Sequence, residues 1–186
     1  MRKNYTHLII ILDKSGSMGT LASDTIGGVN KLVTDQKALP GNFTASLYQF
    51  NDDLAEVMSF TELNAQNYQP RGGTALLDAV CKVIDREGAE LHALPEANRP
   101  DKVVVLIVTD GQENASKTFK REDVRSRFTT QTNTYKWQFV FLGANIDAFG
   151  EAYRLNISAR RTYQFSMDPL SIKTSYSATS DAWRSY

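Results

Sequence analysis

The sequence contains one cysteine, two histidines and no net charge. Because Cys81 is the only cysteine, no disulfide can form within the chain, and a reducing compartment is favoured. Lysine and arginine together number 21, as do aspartate and glutamate. This balance leaves no long-range field to hold a phosphate backbone or an anionic membrane. We therefore expect neither nucleic acid nor a membrane as the partner.

Long hydrophobic runs and composition breaks are also missing. The apolar run that follows the N-terminal basic residues covers residues 8–12 and stops at Asp13. It is too short for a signal-peptide core and far below the roughly 20 residues of a membrane span. No repeat, low-complexity linker or charge run marks a second domain. These features predict a single domain over residues 1–186 in the cytoplasm.

Continuous apolar runs predict the central strands. Residues 8–12 read Leu-Ile-Ile-Ile-Leu, residues 103–108 read Val-Val-Val-Leu-Ile-Val, and residues 137–142 form a weaker instance. Unbroken apolar runs of this length are typical of strands that are buried on both faces of a parallel sheet. Residues 43–50 and 55–60 predict two further strands, joined by a hairpin turn at Asn51-Asp52-Asp53. We expect that turn at the opposite or a lateral edge of the sheet.

Helical periodicity occupies the intervals between these strands. It predicts helices at residues 26–39, from Thr74 to about Leu91, at 124–128 and at 149–155. In the tail, residues 161–166 predict a last strand, and Asp168-Pro169 predicts a helix start. Alternating strands and helices indicate an α/β fold with a doubly wound, mostly parallel central sheet, one antiparallel edge strand, and helices on both faces.

Hydroxyl and carboxylate side chains alternate directly after the first predicted strand, in Asp13-Lys14-Ser15-Gly16-Ser17. Magnesium prefers oxygen ligands in near-octahedral geometry, so such a loop suits a hard cation. The alternative is a simple turn and helix cap, which is the common role of Ser- and Gly-rich segments.

Thr74 and Asp110 are further candidate metal ligands because of their position in the predicted sheet. Thr74 opens the second predicted helix, where its default role is to cap the helix with its hydroxyl. Asp110 ends the strand at residues 103–108, where Asp-Gly is ordinary turn chemistry. In a doubly wound sheet, however, ligands bind outside the carboxyl ends of the strands, and Asp13, Thr74 and Asp110 all face that edge. A cation between the two aspartates would keep both of them ionised.

These segments resemble a known motif. Asp13-x-Ser15-x-Ser17, Thr74 within Gly-Gly-Thr, and Asp110 within Thr-Asp-Gly are similar to the metal-ion-dependent adhesion site (MIDAS) of von Willebrand factor A domains. The resemblance covers residues 5–157 and, more loosely, the tail at 158–186. With no flanking cysteines, the chain looks most like cytoplasmic bacterial or phage members. The resemblance implies that Ser15, Ser17 and Thr74 contact Mg²⁺ directly, with Mn²⁺ as a substitute, and that both aspartates act largely through water.

The resemblance also implies a binding function. A metal held mainly by neutral hydroxyls keeps much of its positive charge, so we expect the partner to be a protein that supplies an aspartate or glutamate to it. Gln112, Glu113 and Asn114 directly follow the Asp110 segment, and they are expected either to line the rim of the site and contact the partner or to be solvated loop. An enzyme is not expected. His7 and His92 lie about 20 Å and about 25 Å from the site by strand and helix rise. Two alternatives remain: a metal-dependent phosphoryl-transfer or hydrolytic enzyme, which typically needs a second aspartate where Ser15 stands, and a metal-free interaction domain.

Overall fold

The computed structural model describes residues 1–57, 59–110, 113–144, 148–155, 157 and 161–165. Its strands are β1 (Arg2–Asp13), β2 (Asn42–Phe50), β3 (Leu54–Val57), β4 (Pro100–Thr109), β5 (Gln138–Ala144) and β6 (Thr162–Phe165). Its α-helices are α1 (Ala22–Lys37), α2 (Leu76–Ala93), α3 (Arg121–Tyr135) and α4 (Ala148–Arg154). Each helix and strand predicted before Asp168 has a counterpart among the described residues, and most are longer than the sequence pattern indicated. Strand β3 is an exception, because it ends at Val57 whereas the pattern predicted a strand to residue 60.

The strands form one six-stranded sheet in the order β3-β2-β1-β4-β5-β6. Neighbouring pairs are parallel except at one edge, where β3 runs antiparallel to β2. The predicted α/β fold with a doubly wound sheet is confirmed. The helix start predicted at Asp168-Pro169 lies outside the described residues.

The apolar run of β1 is unbroken because both faces of this strand are covered. Ile9 and Ile11 belong to the hydrophobic cluster under α2 and α3, whereas Leu8, Ile10 and Leu12 belong to the cluster under α1. Since successive side chains of a strand point to opposite faces, a central strand with helices on both sides needs apolar residues at every position. Residues 8–12 are accordingly inaccessible to solvent.

The helices bury the stripes that their periodicity indicated. Val80, Val83 and Ile84 of α2 pack into the first cluster, where Phe128 of α3 stacks on Phe139 with ring centroids 4.0 Å apart. Cys81 is fully buried in the same cluster, as expected for a small core residue. None of the helices in the described part of the chain is long and apolar enough to cross a bilayer.

One prediction about the sheet was wrong. The turn at residues 51–53 was expected at the opposite or a lateral edge, but β2 runs parallel to β1 and pairs Phe50 with Asp13. The turn that follows β2 therefore lies at the same edge as Asp13. The hairpin pattern identified β2 and β3 as partners, yet it carried no information on how β2 was oriented against β1.

Candidate metal centre

Three segments converge at the carboxyl edge of the central strands. Asp13 is the last residue of β1, and Asp110 directly follows β4. The two strands pair in parallel, with Leu12 opposite Val108, so both aspartates lie at the same edge of the sheet. Thr74 stands two residues before α2. Asp13, Thr74 and Asp110 are almost fully buried, so the edge forms a recess lined with oxygen atoms.

The Asp13 carboxylate is held on both of its oxygens. Its Oδ1 accepts a hydrogen bond from the Ser15 amide at 2.6 Å, and its Oδ2 accepts one from the Thr109 hydroxyl at 2.6 Å. Burial raises the pKa of Asp13 to about 6, and these hydrogen bonds oppose the rise. The charge of Asp110 adds a smaller rise, because a nearby like charge disfavours ionisation.

The serine hydroxyls link the first loop to the second aspartate. Ser17 Oγ donates to Asp110 Oδ1 at 2.8 Å, and the hydroxyls of Ser15 and Ser17 lie 3.1 Å apart. Because the single hydroxyl proton of Ser17 goes to Asp110, the bond between the serines is donated by Ser15. Burial also raises the pKa of Asp110, although the Ser17 hydroxyl opposes it. The structure therefore brings Asp13, Ser15, Ser17 and Asp110 into one hydrogen-bonded chain.

The segment that carries Thr74 is joined to the first loop by backbone hydrogen bonds. Arg71 N donates to Lys14 O at 2.7 Å, and Gly16 N donates to Gly72 O at 3.0 Å. Gly72 has a φ of +78°, and a Cβ there would collide with the Asp52 carboxylate. The left-handed backbone and the close approach of Asp52 both disfavour a side chain at position 72, which explains the glycine there.

Sequence reasoning missed three residues that shape this edge. Thr109 holds Asp13 as described above, the Tyr68 hydroxyl donates to the Asp13 carbonyl at 2.6 Å, and Asp52 accepts from the Gly73 amide at 3.0 Å. The pairing of β1 with β4 could have indicated Thr109, because the pair Leu12–Val108 places Thr109 opposite Asp13 at the next position. Nothing in the local pattern around Tyr68 pointed to a contact 55 residues away.

The residues predicted to form a partner-binding rim have roles within the chain. The Glu113 carboxylate accepts from the amides of Leu77, Ala115 and Ser116 at 2.7–3.0 Å, and Asn114 Oδ1 accepts from the Thr74 amide at 2.9 Å. Gln112 lies outside the described residues. Contact of these side chains with a partner stays a prediction, whereas their engagement with the Thr74 segment is a feature of the fold.

The donor set fits a hard divalent cation. Asp13, Ser15, Ser17, Thr74 and Asp110 offer oxygen atoms only, which is the ligand chemistry of Mg²⁺ and Mn²⁺. Among the described residues, neither Asp13 nor Asp110 forms an ion pair with a lysine, arginine or histidine. Two buried, mutually repelling carboxylates would be stabilised in their ionised form by a cation. No group of three or more His, Cys, Asp or Glu metal ligands occurs in that part of the chain, and the candidate set combines two carboxylates with hydroxyls instead.

Comparison with solved structures identifies the fold. The chain resembles proximal thread matrix protein 1 of the mussel byssus, solved with a zinc-occupied MIDAS motif, at a TM-score of 0.67 and 15% identity over 97% of this chain and 46% of that one. It resembles manganese-loaded TRAP protein of Plasmodium vivax at a TM-score of 0.64 and 13% identity, over 94% of this chain and 72% of that one. The ArnB paralog VWA2 of Sulfolobus acidocaldarius matches at a TM-score of 0.57 and 19% identity, over 91% and 43%.

These likenesses show that the chain has the fold of a von Willebrand factor type A domain. The chain spans less than half the length of the mussel and Sulfolobus proteins. No family model matches the sequence, and no curated protein matches it either. At identities below 20%, the neighbours establish the architecture, and the function must be argued from this chain's own site.

Proposed function

We propose that this domain is a magnesium-dependent protein-binding module and not an enzyme. Mg²⁺, or Mn²⁺ in its place, would be held by Asp13, Ser15, Ser17, Thr74 and Asp110. The observation that carries the proposal is the convergence, at one edge of the sheet, of two buried carboxylates with the hydroxyls of Ser15 and Ser17, beside the segment that carries Thr74. Two proteins of the same fold, the mussel protein with a zinc-occupied MIDAS motif and the manganese-loaded TRAP protein, support a divalent metal in this domain.

The proposed partner supplies an aspartate or glutamate side chain to the metal. Direct ligands that are mainly neutral hydroxyls leave much of the positive charge on the cation. Ser17 is exposed, so the recess opens to solvent on its side and leaves room for an outside ligand. A carboxylate gains Coulombic attraction to such a cation, whereas a lysine would be repelled and an amide oxygen would gain less.

Binding fits the geometry better than catalysis does. Both oxygens of Asp13 already accept hydrogen bonds, which leaves it poorly placed as a nucleophile. His7 bonds to Glu87 and Thr44, and His92 lies in the last turn of α2, so neither is available as a general base here. With Cys81 as its only cysteine, the chain needs no oxidising compartment, and we place the module in the cytoplasm.

The test is to capture the partner from the native cell and measure binding of the purified pair. Affinity should fall at least about tenfold on chelation, and by a similar factor when one partner Asp or Glu is replaced with its amide. Asp110→Ala serves as the matched control on this chain and should bind equally with and without magnesium. If binding survives chelation and every such replacement, the bridging carboxylate is wrong.

Calcium is expected to bind this site more weakly than magnesium does. The donor set offers only two carboxylates, each already engaged in hydrogen bonds, whereas calcium favours six to eight oxygens and often bidentate carboxylates. Titration calorimetry at equal ionic strength compares the two metals directly. A calcium affinity about tenfold above that of magnesium would contradict the compact, hydroxyl-rich coordination shell.

A further inference from the structure

Helix α2 begins without a cap from its own chain segment. Its N-cap is Ala75, which has no side-chain hydrogen bond to the helix, and Thr74 does not perform the capping role that its sequence position suggested. The first-turn amides are capped instead by the loop after β4. The Leu77 amide donates to Glu113 Oε2 at 3.0 Å, and the Asp78 amide donates to Ser116 Oγ at 3.1 Å. Two of the orphan donors of the helix start are thus satisfied from a segment 36 or more residues away.

The same loop fixes the backbone of Thr74 on both sides. The Thr74 amide donates to Asn114 Oδ1 at 2.9 Å, while the Thr74 carbonyl accepts from the amides of Asn114 and Ala115 at 3.1 and 3.3 Å. With helix capping performed by Glu113 and Ser116, and with its backbone held by Asn114, Thr74 keeps its hydroxyl for another partner. Asn114, which bonds the backbone of one proposed metal ligand, also lies only four residues after another, Asp110, in the sequence.

We propose that Asn114 is a positioning residue for the metal centre, assisted by Glu113, because it aligns Thr74 with Asp110 and so sets the affinity for the cation. The inference rests on the function proposed above. Residues that orient metal ligands through a hydrogen bond typically change metal affinity by about 10–100-fold when they are replaced. Asn114 differs from a general stabilising residue because its oxygen bonds directly to the amide of a proposed ligand.

Three substitutions test this, with Mg²⁺ affinity of the full chain measured by titration calorimetry. Asn114→Ala should weaken binding about tenfold or more. Asn114→Asp keeps an oxygen acceptor for the Thr74 amide and should retain at least about a third of the native affinity. The control is Asn30→Ala, since Asn30 likewise bridges the backbone of another segment, bonding Leu63 N and O at 2.8 Å each. It should lower the melting temperature but leave Mg²⁺ affinity unchanged.

Hydrogen exchange of the metal-free native protein supplies a readout that does not depend on any variant folding. The amides of Thr74 and Leu77 should exchange slowly in the presence of chelator, because both are bonded to the loop after β4. Rapid exchange at both amides, native affinity in Asn114→Ala, or an Asn114→Asp affinity as low as that of Asn114→Ala would each overturn the inference. If the native chain binds neither Mg²⁺ nor Mn²⁺, the proposed function fails, and slow exchange at Thr74 and Leu77 would still show that the loop after β4 holds the start of α2.

Discussion

Replacing Asp13 with asparagine is expected to abolish the magnesium-dependent rise in melting temperature and to raise the melting temperature of the metal-free protein at pH 7.5. Asparagine can preserve both hydrogen bonds, because its oxygen accepts from the Ser15 amide and its amide group donates to the Thr109 hydroxyl. The substitution removes the charge that the cation requires. It also removes a buried charge that lies close to Asp110.

The sign of the metal-free effect follows from proton linkage. The pKa of Asp13 is raised from 3.8 to about 6 in the folded chain, chiefly by burial. The folded state therefore holds a proton that the unfolded state releases, and stability falls as the pH rises from about 4 to about 6. At 1.36 kcal/mol per pKa unit, the ionised carboxylate costs on the order of 3 kcal/mol above pH 6. Magnesium binding favours the ionised form and offsets this cost.

Thermal melts of native chain and Asp13→Asn, at pH 4.5 and 7.5 with magnesium or chelator, measure both effects. The matched control is Asp35→Asn, because Asp35 is a surface residue of α1 paired with Lys31 at 2.8 Å. That control should keep the magnesium response and change stability by no more than about 1 kcal/mol. A magnesium response retained by Asp13→Asn would remove Asp13 from the site, and a lower metal-free melting temperature at pH 7.5 would contradict the burial cost.

Local patterns in the sequence were sufficient for the architecture and for the convergence of the candidate ligands at one edge of the sheet. The unbroken apolar run of β1 reflects burial on two faces, and Asp13, Thr74 and Asp110 were identified because strand ends in this fold share an edge. Each of these inferences uses a period or a turn that is encoded within a few neighbouring residues.

Such local patterns could not predict the contacts between segments that are distant in the sequence. Glu113 and Asn114 read as exposed polar residues after an Asp-Gly turn, yet they cap α2 and hold Thr74 across 36 to 40 positions. Asp52 read as a remote hairpin tip, because the direction of β2 against β1 depends on the crossover and not on the strand itself. Side chains that bond to a distant backbone leave no periodic signal, and the chain must fold before they can be recognised.

Glu87 provides the second large effect, at the end of the molecule away from the metal centre. Its carboxylate is almost fully buried, with Oε1 accepting from the Tyr48 hydroxyl at 2.9 Å and Oε2 lying 3.0 Å from His7 Nε2. Burial alone would raise the pKa of Glu87, but the hydrogen bond and charge of His7, together with hydrogen bonds from Tyr48 and Ser46, outweigh it and lower the pKa. The buried acid is therefore ionised at neutral pH and is stabilised by its partners.

Glu87→Ala is expected to destabilise the fold by about 3–5 kcal/mol at pH 7.5, because it leaves the buried polar groups of His7 and Tyr48 without their acceptor. The loss should shrink in acid. The pKa of Glu87 is lowered on folding, so its contribution is present above the unfolded pKa and is lost as the pH falls through the folded one. Denaturant unfolding at pH 7.5 and pH 3.5 measures the loss of stability and its decrease in acid.

Two further variants separate this network from an ordinary surface charge and from the metal centre. Glu90→Ala removes an exposed carboxylate of α2 that pairs with Arg86 and should cost no more than about 1 kcal/mol. A triple variant with His7→Leu, Tyr48→Phe and Glu87→Leu should recover much of the lost stability, since it replaces most of the buried polar network with an apolar set, although the Ser46 hydroxyl still loses its bond to Glu87. His7 lies six residues before Asp13 on β1, about 20 Å away at 3.3 Å per residue, so magnesium affinity should match that of the native chain in every folded variant. A Glu87→Ala cost no greater than that of Glu90→Ala would show that the buried carboxylate contributes little, and a shifted magnesium affinity would show that the two ends of β1 are coupled.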